Sequence, residues 1–442
     1  MPQSINETIC YYDEPSRKID GKLEIYFNGF EEEPLTVTRD DFLIDYEVLE
    51  EAGADDKNPL GAVSANELTI TLSNHENVFS PAYKEGPYYG LIKVGVMIIP
   101  YIKPDEEGYE WKSLGKYFVS DWTSKLGSAT ASITCYDIVQ ELLLSVMPDV
   151  EVQLDTTYGK FIKYILTSCG FLTAEVDESL SRVLPYGFIN TDKIKDLIQN
   201  IVEASMSILN TNRSGGIVVS KLTRKEPAAI FTDDNQIITM DVPQSIIKTY
   251  NGVKLTYSLP QLSDYTEVLV VDKLPIPYGL TTHNLIKYSK PIFDISAAML
   301  CGEKFCTIVQ YSSTNFGINL TTDLDDKDGA TCKLIVTGKV IDLVDQVIDD
   351  GLSNMLEIDN SYIQSAEYAS AYKENLSRLV LSDIPEVDLN IRGNPNLVIG
   401  DTVEVHSVAY NMDFIGIIKR IKIKYAGYLE SEMTLMNAEV FS

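Results

Sequence analysis

The chain has 442 residues, 45% of them apolar, with 36 Lys plus Arg against 65 Asp plus Glu and a formal net charge of −29. This is an ordinary globular composition, sufficient at roughly 150 residues per domain for about three domains. Charge of this sign excludes a protein that grips nucleic-acid phosphates with clustered Lys and Arg, and one that adheres to anionic lipid.

No membrane anchor is expected. The apolar stretch near 94–102 is short and holds Pro100, whereas a spanning helix needs about 20 residues. The first residues show no basic-then-apolar signal segment, so a soluble, cytosolic setting is expected.

Residues 1–145 read mostly as β. Leu68, Ile70 and Leu72 alternate with Thr69, Thr71 and Ser73; Ala129, Ala131, Ile133 and Cys135 alternate with Thr130, Ser132 and Thr134. Period two marks strands with one buried face. Residues 116–122 (KYFVSDW) predict another strand, with Tyr117, Val119 and Asp121 on one face. Turn signals stand at Asp20-Gly21, Asn28-Gly29, Asn58-Pro59, Gly61 and 104–108. A short helix is expected over 137–147 (DIVQELLLSVM), opened by Asp137.

From 150 to 240 the spacing predicts helices over 157–169 and 191–209, the second capped by Thr191 or Asp192, then a strand at 216–222 after the Ser214-Gly215-Gly216 turn. The β pattern returns from 241 to 350. Tyr250-Asn251-Gly252 signals a turn, Val253, Leu255 and Tyr257 alternate with polar residues, and 306–311 and 332–338 are strand candidates. Between the last two, 323–329 (DLDDKDG) reads as a hairpin tip. A helix over 361–381 is stopped by Asp383 and Pro385, and strands follow at 387–392, 401–408 and 415–425.

Signatures of chemistry are absent. His75, His283 and His406 form no H-E-x-x-H frame, and no G-x-S-x-G elbow or phosphate loop is present. The 323–329 segment fails the calcium-loop frame, since Leu324 and Ile335 fall on ligand positions. Cys10, Cys135, Cys169, Cys301, Cys306 and Cys332 are expected to be free buried thiols; the Cys301/Cys306 spacing could bring two together, but a metal site needs two such pairs or added His. No catalytic, cofactor-binding or metal-ligating residue is therefore expected, and no cofactor.

Two features admit two readings each. The basic strip Lys419-Arg420, Lys422, Lys424 is either an acidic-partner or intersubunit contact, or the solvent face of a final strand. The 26 Tyr, clustered at Tyr11-Tyr12, Tyr83 and Tyr88-Tyr89, are partner or sugar-stacking surfaces, or half-buried strand residues.

Three stretches carry a resemblance: 79–100 (FSPAYKEGPYYGLIKVGVMIIP), 114–142 (LGKYFVSDWTSKLGSATASITCYDIVQEL), and 391–405 (IRGNPNLVIGDTVEV) followed by 415–435 (IGIIKRIKIKYAGYLESEMTL). In this order they make the chain similar to baseplate hub proteins of contractile phage tails, and to the N-terminal module of tail-associated tip proteins of long non-contractile tails.

The resemblance spans essentially the whole chain and implies a β-rich α+β fold. Two tail-tube-like antiparallel β-barrel domains at 1–148 and 241–352 would flank an α/β domain at 149–240, with a small C-terminal α+β domain at 353–442. It implies a non-enzymatic homotrimeric ring that adapts a six-fold tail tube to a three-fold spike or tip and lets DNA or tube pass. Its partners would be a tail tube or distal tail protein, a spike or tip protein and a tape measure protein, with transient contact to DNA. It would be found in the virion baseplate or tip, after assembly in the host cytoplasm. The chain stops shortly after the third stretch, so no peptidase, lysozyme or fibre extension is expected. The alternatives are a carbohydrate- or receptor-binding protein of the same particle, and a glycosidase acting through two carboxylates.

Overall fold

The computed structural model describes residues 17–30, 32–52, 60–61, 63–125, 128–148, 150–233, 236–242, 250–288, 290–314, 317–381 and 384–440. The expectations at Cys10, Tyr11-Tyr12, Asn58-Pro59 and Asp383 lie outside them. The first segment holds β1 (Ile19–Tyr26), β2 (Leu35–Thr38), β3 (Leu43–Glu51), β4 (Glu67–Ser73), β5 (Met97–Pro104), β6 (Lys112–Ser113), β7 (Tyr117–Ser124), β8 (Thr130–Tyr136) and α1 (Ile138–Leu144). Next come β9 (Gln153–Thr157), α2 (Tyr158–Ser168), β10 (Glu175–Val176), β11 (Val183–Gly187), α3 (Ile194–Ala204), β12 (Ser207–Thr211), β13 (Ile217–Lys221), β14 (Ala229–Thr232) and β15 (Ile237–Asp241). Then follow β16 (Gly252–Leu262), β17 (Thr266–Ile276), β18 (Gly279–Lys287), β19 (Ile292–Leu300), β20 (Cys306–Ser313), β21 (Gly317–Leu324) and β22 (Ala330–Asp349). The chain finishes with β23 (Met355–Asn360), α4 (Ala366–Val380), β24 (Ile384–Ile391), β25 (Thr402–Ser407), β26 (Met412–Tyr425) and β27 (Leu429–Val440). The protein is a β-rich α+β fold.

The main sheet runs β15-β24-β27-β26-β3-β4-β8-β7-β5-β1-β2, with β6, β14 and β25 attached. Strict alternation drives it: Leu68, Ile70, Leu72, Ala131, Ile133 and Cys135 are buried on the inner face. The join between its two halves is antiparallel pairing of β3 with β26, from Glu51 opposite Arg420 to Tyr46 opposite Tyr425. The sheet curls until β1 approaches β26. Tyr46 Oη donates to the Tyr101 carbonyl at 2.8 Å, and a Cβ on Gly21 would lie 2.4 Å from the Tyr425 ring. Asp20-Gly21 is thus the interior of β1 and not a turn; the glycine is needed for that close approach.

In β7 the predicted face is corrected. A bulge between Val119 and Asp121 shifts the register, so Trp122 turns inward and Asp121 outward. The expected division into four consecutive domains also differs from the sheets. The boundaries at 148 and 352 fall between elements, but 240 lies inside β15, and β24 to β27 complete the sheet that β1 to β8 begin.

The helices form where expected, with shorter ends. Asp137, Thr157 and Ser365 cap α1, α2 and α4 by accepting from backbone N–H groups. The helix expected over 191–209 starts only at Ile194, because Thr191 Oγ1 donates to the Lys193 carbonyl and does not cap. It stops at Ala204; Met206 at φ +52 reverses the chain, and Ile208 and Leu209 enter β12. Residues 361–365, expected in the last helix, stay outside it. Tyr362 is a buried anchor whose hydroxyl donates to the Phe188 carbonyl at 2.7 Å.

Between β16 and β23 lies a second β unit with two small cores of its own. One centres on Tyr288, Ile318, Leu320 and Leu334, the other on Ile276, Leu324 and Cys332. Its sheets are β17-β22-β19 and β18-β21-β20, and the far half of the 20-residue β22 pairs with β16. The 323–329 segment is therefore no hairpin tip. It carries the chain from β21 in one sheet to β22 in the other. Asn251-Gly252 likewise makes no hairpin: Asn251 N donates to the Asn354 carbonyl, and Gly252 opens β16 beside β23.

Candidate functional site

Two cations of the basic strip, Lys419 and Lys422, are ion-paired within the sheet. Lys419 is buried against Glu386 at 2.9 Å, and Lys422 lies 3.2 Å from Glu47 and 3.6 Å from Glu432. Arg420 stands opposite Glu51, and Lys424 opposite Glu47 and Glu430. Oppositely charged neighbours across strands stabilise a sheet.

The aromatic cluster divides into support and display. Tyr88 stacks between Phe27 and Phe79, each at 5.4 Å, while Phe42 meets Phe79 edge-on at 5.2 Å. Trp122 Nε1 donates to the Phe79 carbonyl at 3.1 Å, and Asn74 Oδ1 accepts from Phe79 N at 2.8 Å. These contacts fasten the long connection between β4 and β5 to the sheet. Tyr83, Tyr89 and Val94 on that connection remain exposed. A loop shown on a fixed base suits assembly contacts. The second β unit adds exposed Tyr278, Leu280, Leu300 and Phe305. Five further tyrosines, Tyr46, Tyr117, Tyr158, Tyr362 and Tyr372, are fully buried, while Tyr265, Tyr311, Tyr410 and Tyr428 are exposed.

A polar junction that sequence reasoning missed ties three segments together. The Arg213 guanidinium meets Glu50 of β3 and donates to the Leu114 carbonyl at 3.0 Å and the Leu397 carbonyl at 2.9 Å. Burial pushes the Glu50 carboxyl up even with Arg213 beside it. Burial, then Arg213, holds the Lys112 ammonium down to about 8. Nothing local in the sequence marks Arg213 except its place before the Ser214-Gly215 turn.

Asp137, singled out only as a helix start, is also buried. Its carboxylate caps Val139 N at 3.0 Å and accepts from Thr211 Oγ1 at 2.8 Å, yet burial raises its pKa to about 7. The folded state therefore holds this proton well above the 3.8 of an exposed carboxyl. Its contribution to stability is present below pH ~4 and is lost as pH rises through about 7. Asp137→Asn keeps the cap acceptor and removes the titration. Its unfolding free energy is expected to fall less than wild type between pH 4 and 7 in urea titrations. Parallel pH profiles would exclude this role.

The histidines converge on nothing. His75 is exposed, His283 bonds to Thr322 at 3.2 Å, and His406 lies between Glu404 at 2.8 Å and Asp413 at 3.0 Å. In the 323–329 segment Asp326 is held by Lys304 at 3.1 Å. The expectation of free thiols is corrected at two positions: Cys301 and Cys332 form a disulfide, while Cys135, Cys169 and Cys306 are free. Among the described residues, Cys301, Cys306 and Cys332 are the one group of three side chains placed to share a cation. Among the same residues, no helix is long and apolar enough to cross a membrane.

No family model matches the chain, and no curated protein matches it in sequence. Its fold is similar along its whole length to solved tail proteins. The prophage MuSo2 43 kDa tail protein from Shewanella oneidensis superposes with a TM-score of 0.52 at 12% identity, covering 94% of this chain and 98% of that one. The tail protein from Neisseria meningitidis MC58 gives a TM-score of 0.53 at 9% identity, covering 95% and 96%.

Proposed function

We propose that a chain with the fold of phage tail proteins along its whole length is itself a structural component of a phage-type tail: a baseplate hub or tail-tip protein without enzymatic activity. One observation carries this reading, the fold match that spans 94% of this chain and 98% of the MuSo2 tail protein. Three copies form a closed ring by head-to-tail contacts. The main curled sheet and the second β unit each supply one tube-like element per chain, so three chains present six positions to the tail tube and three-fold symmetry to a spike or tip. Tail tube or distal tail, spike and tape measure proteins are its partners, and the virion tail is its location.

The displayed loop with Tyr83 and Tyr89, and the exposed apolar side chains of the second β unit, supply contact surface. Part of the −29 charge faces the channel, where it repels passing DNA and lowers friction. Negative-stain microscopy with a solution mass measurement tests the reading. A three-fold ring near three times 49.3 kDa is expected. A monomer that joins neither tube nor spike protein but binds in a glycan screen would replace the hub with a carbohydrate-binding protein of the same particle.

A further inference from the structure

One end of the second β unit holds a group of side chains that the hub reading does not use. Cys332 is fully buried in β22, Cys301 follows the last residue of β19, and Cys306 opens β20. The six-residue stretch Cys301-Gly302-Glu303-Lys304-Phe305-Cys306 turns back at Gly302, whose φ is +66. It brings a thiol from the β18-β21-β20 sheet to two sulfurs that belong with β17-β22-β19. All three Sγ atoms lie within 4.8 Å of one another.

We propose that Cys301, Cys306 and Cys332 of the reduced chain form a three-thiolate site for a soft divalent cation of the zinc class, of which the Cys301–Cys332 disulfide is the oxidised, metal-free form. Thiolates bound about 2.3 Å from zinc in tetrahedral geometry stand roughly 3.8 Å apart. That separation is within reach of the present arrangement once the disulfide opens. Three sulfurs leave a fourth position for water or a carboxylate, and thiolate ligands select zinc-class ions over magnesium or calcium. The site has an entrance: Cys301 lines a surface groove with Glu303, Lys304, Asp328 and Thr331.

The chemistry balances with ordinary thiol reagents. A dithiol reductant attacks the Cys301–Cys332 bond, supplies two electrons and two protons, and leaves as its own disulfide. The cation then displaces the three thiol protons. A small-molecule disulfide accepts two electrons in the reverse exchange and expels the ion. The two forms differ mechanically. The disulfide ties β19 to β22 within one sheet, whereas the metal form also holds β20 and so clamps the two sheets together.

The test uses the full chain, reduced with a phosphine under anaerobic conditions and titrated with Co²⁺. A thiolate-to-cobalt charge-transfer band saturating at one ion per chain, and displaced by Zn²⁺, is expected. Cys306→Ser should weaken binding by more than about tenfold, and a Cys135→Ser/Cys169→Ser chain should bind as wild type does. As a readout on unsubstituted protein, bound Zn²⁺ should protect Cys301, Cys306 and Cys332 from alkylation in peptide mass maps. Absence of the band from the reduced wild type, an unchanged band in Cys306→Ser, or alkylation of these cysteines unaffected by Zn²⁺ would overturn the proposal.

Discussion

Replacing Arg213 by Ala is expected to lower the unfolding free energy by about 3–5 kcal/mol, the usual consequence of removing one partner of a buried ion pair and leaving the other. Glu50 is 2% exposed, and the guanidinium also satisfies the Leu114 and Leu397 carbonyls. The variant thus strands one carboxyl and two carbonyl oxygens at the point where β3, the β6–β7 connection and the loop before β25 meet. Burial already pushes Glu50 up with the arginine present, and removing the arginine pushes it further the same way. A joint Arg213→Met/Glu50→Leu change removes both charges and should recover much of the loss, because the attraction of the pair roughly offsets its own desolvation. Urea unfolding with an unchanged m value reads both effects. A loss below about 1 kcal/mol for Arg213→Ala would show that the junction contributes little.

Trp122→Ala should cost about 3–5 kcal/mol, as large-to-small aromatic changes in cores do. Its indole packs on Phe79 and donates to the Phe79 carbonyl, so the loss is both of volume and of the clasp on the connection between β4 and β5. The release should be local as well as global. Trypsin should cut the variant at Lys84 and Lys93 under conditions in which wild type resists, with the β-sheet circular dichroism retained. Trp122→Phe keeps most of the stacking and loses the donor, and should cost about 1–2 kcal/mol. Equal proteolysis of Trp122→Ala and wild type would separate this residue from the loop.

Much of the strand content was legible because alternation is a local signal. Leu68–Leu72 and Ala131–Cys135 declare their inner faces without reference to anything distant. The face of β7 was misread because a one-residue bulge shifts the phase without a mark in composition. The end of α3 was missed because Ser207–Leu209 continue an apolar pattern that suits either period, and only the positive φ at Met206 breaks it. Contacts between remote segments were out of reach altogether. Nothing near Arg213 names Glu50, nothing near Cys332 names Cys301 or Cys306, and nothing in Lys422 shows that Glu47 and Glu432 lie on either side of it. The absence of catalytic motifs left the polar chemistry to be found by burial, as at Asp137.

The pairing of β3 with β26 has a consequence for synthesis. A ribosome delivers β3 and β4 early, and they can form their hairpin at once, but the other edge of β3 waits for Met412–Tyr425. At common translation rates that wait is on the order of tens of seconds. During it, Glu47 and Glu51 stand on an open edge, where charge discourages pairing with a neighbouring chain. A nascent chain cut short before β26 leaves this edge of β3 unpaired. The order of strands in the sheet thereby defers the closing of its centre until translation has passed Tyr425.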